Sequence, residues 1–215
     1  MKIIDSKLKF RSNLVKRSET TTIVLHHAEA RKASVQDIHS WHLANGWAGI
    51  GYHYYVRKDG TVYQGRPEWA LGSHCKGSNF CSIGICCEGD YEKYDKTMPT
   101  KQYNALVGLI NDIKSRYTGA TVKGHGELYP TACPGKYYPL DTIKKLFNKN
   151  VAMDLNTTIG LQTALRRLGF YQGAIDGIAG PKTVEAIRGF QAKYGLVVDG
   201  VVGPNTRNKI KEVLK

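Results

Sequence analysis

A histidine and a cysteine, His125 and Cys133, stand eight positions apart in the segment VKGHGELYPTACPG at 122–135. Its glycines and prolines keep it from being a helix, so it reads as a loop. A neutral imidazole and a thiolate are a natural pair of zinc ligands, and a catalytic zinc needs a third protein ligand plus one position left open for water. That third ligand must come from elsewhere in the chain. About a hundred residues upstream, TTIVLHHAE ends a β-branched run in His26 and His27. Such a run reads as a buried strand, which would deliver its end residues rigidly.

Patterning supplies the scaffold. Ser34 to Asp37 form a capping-box-like helix start, with Val35, Ile38, Trp41 and His42 on one face, and the helix ends near Asn45 and Gly46. An aromatic strand at Tyr52–Val56 meets Asp59-Gly60 and returns through Thr61–Gln64, which is a hairpin signature. SIGICCEG at 82–89 is a short buried strand. From Thr100 to Tyr117 the apolar residues Tyr103, Leu106, Val107, Ile110, Ile113 and Tyr117 keep helical spacing. Thr121–Lys123 reads as one more strand that feeds the His–Cys loop, and Asp141 caps a last helix through Phe147. Alternating strands and helices imply an α/β fold, a central mixed β-sheet flanked by helices.

The composition narrows the partners. No apolar run approaches the ~20 residues of a membrane span, so membrane insertion is not expected. The first nineteen residues lack the apolar core of a signal peptide, which points to synthesis in the cytoplasm without one. A net charge of +13, spread over both halves, calls for a polyanionic partner. Nucleic acid is not expected, because there is no basic stripe with interleaved aromatics and no nucleic-acid-binding motif. An anionic bacterial wall would suit a diffuse positive field. Five cysteines, two of them adjacent at Cys86 and Cys87, fit a reduced protein, although Cys75 and Cys81 are six apart in a loop and could bridge if oxidised.

A polar run around 149–157 reads as a linker between a domain at 1–148 and a smaller one at 158–215. The smaller one contains a repeat: IDGIAGPKT (175–183) returns as VDGVVGPNT (198–206). Each copy leads into a helix with proline at its first turn, Pro181 or Pro204. With Thr158–Leu168 this gives a small all-α, three-helix unit. Asp176 and Asp199 are equivalent turn residues, and the region has no His or Cys, so its role is binding rather than catalysis.

IVLHH, GWAGIGYHYYVRKDGTVYQGR, LGSHCKGSNFCSIGICCEGDY and HGELYPTACPG, in that order over residues 20–147, resemble the type 2 N-acetylmuramoyl-L-alanine amidases, which include phage lysozyme-type amidases and animal peptidoglycan recognition proteins. The tail is similar to the three-helix peptidoglycan-binding domain of wall hydrolases. The resemblance implies one Zn2+ on His26, His125 and Cys133, with His27 a neighbour of the site. Tyr52 would donate to the oxyanion or position water, and Thr131 fills a catalytic place where phage members often carry lysine. Inactive recognition proteins carry serine at the place of Cys133, so the thiol favours an enzyme. His42, His53, His74 and Asn79 would line a substrate groove. Gly49 stands where family members often carry an acidic residue, so a bond bracing the tyrosine loop is expected to be missing. Glu127 is either a partner of a zinc histidine or a solvated carboxylate. The implied function is that of a phage or prophage endolysin, acting on peptidoglycan after release and cutting the lactyl amide between N-acetylmuramic acid and L-alanine. The alternative is a module that binds peptidoglycan without hydrolysing it.

Overall fold

A computed structural model describes residues 2–147, 155–173 and 175–214. The chain divides into two compact units, Met1–Asn148 and Lys149–Lys215. Positions 149–154 of the expected linker lie outside the described residues.

The first unit is built on a six-stranded mixed sheet: β1 (Ile3–Asp5), β2 (Thr22–His27), β3 (Tyr54–Val56), β4 (Val62–Gln64), β5 (Ser82–Cys87) and β6 (Thr121–Gly124), in the order β1-β4-β3-β5-β2-β6. Among these six strands, the β3–β4 hairpin is the antiparallel pair and the other neighbours run parallel. Strands buried on both faces read as continuous apolar runs rather than as alternations. All six residues of β5 and five of the six in β2 are buried accordingly. One face packs Ile23, Leu25, Ile83 and Ile85 against Leu106, Leu109, Ile110 and Ile113 of α2 (Thr100–Arg116). The other face packs Tyr55 and Cys86 against Val35 and Ile38 of α1 (Val35–Ala44). His26 is in register with Cys86. Because strand side chains alternate between faces, His26 projects on the α1 side and His27 on the α2 side.

Three details depart from the sequence reading. The buried side of α1 is Val35, Ile38 and His39, while Trp41 is 46% exposed. His39 can be buried because both its ring nitrogens are satisfied: Nδ1 accepts from Ile50 N–H at 3.1 Å, and Nε2 lies 3.1 Å from Lys9 O. β1 is an additional edge strand, and its partner β4 is remote in sequence, so no local pattern announces it. Asp141 sits inside the first turn of α3 (Leu140–Phe147) rather than ahead of it, where a carboxylate still complements the helix dipole.

The second unit holds α4 (Thr158–Arg167), α5 (Pro181–Lys193) and α6 (Pro204–Val213) around Leu161, Leu165, Ile175, Ile187, Phe190 and Ile210. The repeat turns share one device. Gln162 donates to Asp176 Oδ1 at 2.9 Å and accepts from Gly177 N–H at 2.9 Å, and Gln191 does the same with Asp199 at 2.7 Å and Gly200 at 2.9 Å. The two aspartates are thus committed to holding turns. Among the described residues, no helix is long and apolar enough to cross a membrane.

Candidate metal centre

Three segments remote in sequence converge beside the sheet. β2 delivers His26 from a rigid strand end, fully buried. β6 runs into a 3-10 turn that opens with His125, and the loop after it brings Cys133, 8% exposed, back to the same point. That return is pinned by Gly126 N–H donating to Cys133 O at 2.7 Å. The ligand atoms of His26, His125 and Cys133 all lie within 4.8 Å of one another, and Cys133 Sγ is 3.6 Å from His26 Nδ1. A nitrogen and a sulfur bound tetrahedrally to one zinc ion stand about 3.6 Å apart, so this donor set fits zinc, with two imidazoles, one thiol and a fourth position left for other chemistry.

Electrostatics agree for the imidazoles. Burial, with the neighbouring His74 and His125, drives His26 well below its ordinary pKa, and burial lowers His125 too, so both rings are neutral with lone pairs to offer. Burial pushes the Cys133 thiol up to about 12, opposed by the His27 backbone N–H that hydrogen-bonds it. His27 itself faces away: its Nδ1 accepts from Tyr91 N–H at 3.0 Å, and its buried Nε2 has no hydrogen-bond partner among the described residues, with Glu29 3.7 Å off.

Around this centre, the ring of Tyr52 lies 4.9 Å from that of His26. His42 accepts from Gly51 N–H at 2.9 Å and packs on Trp47 at 4.6 Å and Tyr52 at 5.4 Å, so it braces the loop that presents the tyrosine. Burial and the nearby Arg66 and His39 lower its pKa to about 4, which keeps it a neutral acceptor. His39 braces the same loop one residue earlier. At Gly49 an added Cβ would meet His39 at 2.5 Å, so histidine occupies the space where a larger residue would sit. Thr131 is exposed, and its Oγ1 accepts from Cys133 N–H at 3.3 Å. The Glu127 carboxylate accepts from Gly124 N–H at 2.7 Å and pairs with Lys144, which closes the turn that carries His125.

The expected groove residues separate. His53 is fully buried: Nδ1 accepts from Gly84 N–H at 3.0 Å, and Nε2 stands 2.9 Å from Ala70 O, leaving neither nitrogen for a ligand. Asn79 Oδ1 accepts from the N–H groups of His74 and Cys75, both at 2.9 Å, so its oxygen shapes a loop. His74 lies behind His26, with its Nδ1 3.1 Å from His26 Nε2. Cys75 and Cys81 are free thiols.

The sequence profile of the N-acetylmuramoyl-L-alanine amidase family matches residues 16–136, more than half of the chain. The chain belongs to that family. A peptidoglycan binding domain profile matches residues 157–210. The endolysin of Escherichia phage T7 is 40% identical over 126 residues, 55% of this chain and 83% of that protein. Peptidoglycan-recognition protein SC2 of Drosophila melanogaster is 35% identical over 124 residues, 52% of this amidase-family chain and 66% of the fly protein. Among solved structures, the N-acetylmuramoyl-L-alanine amidase LysC from Clostridium intestinale URNW superposes with a TM-score of 0.66 at 35% identity, covering 69% of this chain and 98% of that one.

Proposed function

We propose that this amidase-family chain is an endolysin-type N-acetylmuramoyl-L-alanine amidase that hydrolyses the lactyl amide of bacterial peptidoglycan in a zinc-dependent reaction. The observation that carries the reading is the convergence of His26, His125 and Cys133 within 4.8 Å. When bound by those three side chains, zinc would supply an electrophile for the amide carbonyl and a means of ionising water near neutral pH.

The chain's own residues do the rest. Tyr52 is half-buried, and burial of its hydroxyl, with the Cys86 and Cys133 thiols beside it, raises its pKa well above the ordinary value, so it stays a protonated donor at neutral pH. Placed beside His26, it donates to the oxygen that becomes negative as the amide carbon turns tetrahedral. Thr131 holds the turn that presents Cys133 and keeps its hydroxyl hydrogen for a second donation at the rim. His42 and His39 fix the approach of the tyrosine loop. His42 and the exposed Trp47, packed against each other beside Tyr52, would offer a surface to the substrate on that side. The three-helix unit adheres to the wall and raises the local concentration of enzyme on an insoluble substrate.

Metal stoichiometry tests the reading. Wild-type protein should bind one zinc ion, lose wall-solubilising activity to a chelator and regain it with zinc, whereas Cys133→Ser should stay folded without metal or activity. Full activity in chelator would refute the zinc assignment. Zinc binding without release of wall fragments would favour the recognition module instead.

A further inference from the structure

We propose that His74 is a positioning residue that sets the tautomer and ring orientation of His26, leaving His26 Nδ1 as the bare lone pair aimed at the metal. This rests on the zinc reading above.

The inference comes from the direction of one hydrogen-bond chain. His26 Nε2 is 3.1 Å from His74 Nδ1, His74 Nε2 is 3.4 Å from Ser82 Oγ, and Ser82 Oγ is 2.6 Å from Ser78 O. A carbonyl oxygen can only accept, so the Ser82 hydroxyl must donate to Ser78 O and has only lone pairs left for His74. His74 Nε2 therefore carries the proton and His74 Nδ1 accepts. The proton of neutral His26 then belongs on Nε2, and Nδ1, 3.6 Å from Cys133 Sγ, is deprotonated. A ring nitrogen free for metal is thus fixed by what the other nitrogen bonds, and such outer partners orient the ligand and tune its basicity.

The surroundings hold His74 to this task. Its side chain is 8% exposed, and its backbone is anchored by Asn79. A Cβ at Gly84 would come within 2.5 Å of His74 Cγ, and one at Gly72 within 2.5 Å of Cδ2, so two glycines on opposite segments make the slot for this imidazole.

The test compares the full chain as wild type, His74→Ala and His74→Asn, titrated with zinc against a chromophoric chelator, with imidazole 15N shifts of the wild type recorded alongside. His74→Ala should bind zinc roughly 10–100-fold more weakly. His74→Asn, whose Oδ1 can accept near the place of Nδ1, should recover most of that loss. The shifts should show the proton on Nε2 of both His26 and His74. Wild-type affinity in folded His74→Ala, an Asn variant as weak as the alanine one, or a proton on His74 Nδ1 would overturn the proposal while leaving the zinc site intact. Should His74→Ala not fold, the asparagine variant and the 15N shifts decide. A wild type that takes up no zinc sinks both readings.

Discussion

Zinc uptake should release at least one proton per ion, that of the Cys133 thiol, and its apparent affinity should strengthen at least about tenfold per pH unit between pH 7 and 8.5, ionisation of bound water adding to both. The reason lies in which ligand is still protonated. His26 and His125 are lowered, chiefly by burial, and are neutral throughout this range, whereas burial lifts the Cys133 thiol to about 12. At pH 7 the metal-free thiolate is therefore scarce, and forming it costs about 7 kcal/mol at 1.36 kcal/mol per pKa unit. Structural zinc in zinc-finger peptides binds with apparent energies of about 10–16 kcal/mol at pH 7 even after its thiols have lost their protons, so a zinc–thiolate bond can outweigh this cost and the proton leaves. The sign is fixed: the proton competes with the metal for sulfur, so each step up in pH removes a competitor until the pH nears 12. Calorimetry against a competing chelator, in buffers of different ionisation enthalpy, counts the protons directly. Cys133→Ser should abolish the release. A zinc affinity flat from pH 7 to 8.5, with no proton released by the wild type, would refute the claim that a buried thiol is the third ligand.

Tyr52→Phe should keep its zinc and lose roughly 10²–10³ in kcat, the usual effect of removing one oxyanion donor; a loss of metal instead would move the tyrosine from catalysis to site assembly. His42→Phe takes the acceptor from the Gly51 N–H and should cost about 1–3 kcal/mol of stability. All three tryptophans, Trp41, Trp47 and Trp69, lie in the first unit, so tryptophan fluorescence in urea reports that change. Ending the chain at residue 148 should leave turnover of soluble muropeptide near normal and abolish co-sedimentation with purified walls. Wall adherence of the full chain should weaken as salt rises, because the +13 charge acts over a screened distance.

Much of the first unit was legible because its strands are buried on both faces and its long helix keeps a clean apolar stripe. Ile23 to Leu25, Ile83 to Cys87 and Leu106 to Ile113 each announce themselves. The three candidate ligands were legible only together: neither a His–Cys pair in a Gly/Pro loop nor two histidines at a strand end marks a metal alone, and the order of the family-like motifs is what singles out His26 over His27. What the sequence hid are the roles of polar side chains one layer back. His39, His42, His53 and His74 look alike in the string, yet the first two brace the tyrosine loop, the third ties β5 to the loop at Ala70, and the fourth touches His26. Only the fold determines which backbone N–H or ring nitrogen each one meets. β1 was missed for a similar reason, since an edge strand of three residues is defined by its partner and not by its own pattern.

The most direct measurement is mass analysis of the fragments released from purified bacterial walls by the zinc-loaded protein. Glycan strands should come away with free lactyl carboxyls on their muramic acids, and stem peptides should leave with a new amino-terminal L-alanine, with both products absent when the metal is stripped. Fragments cut at sugar linkages or peptide cross-links, or the same products from metal-free protein, would contradict a zinc amidase built on His26, His125 and Cys133.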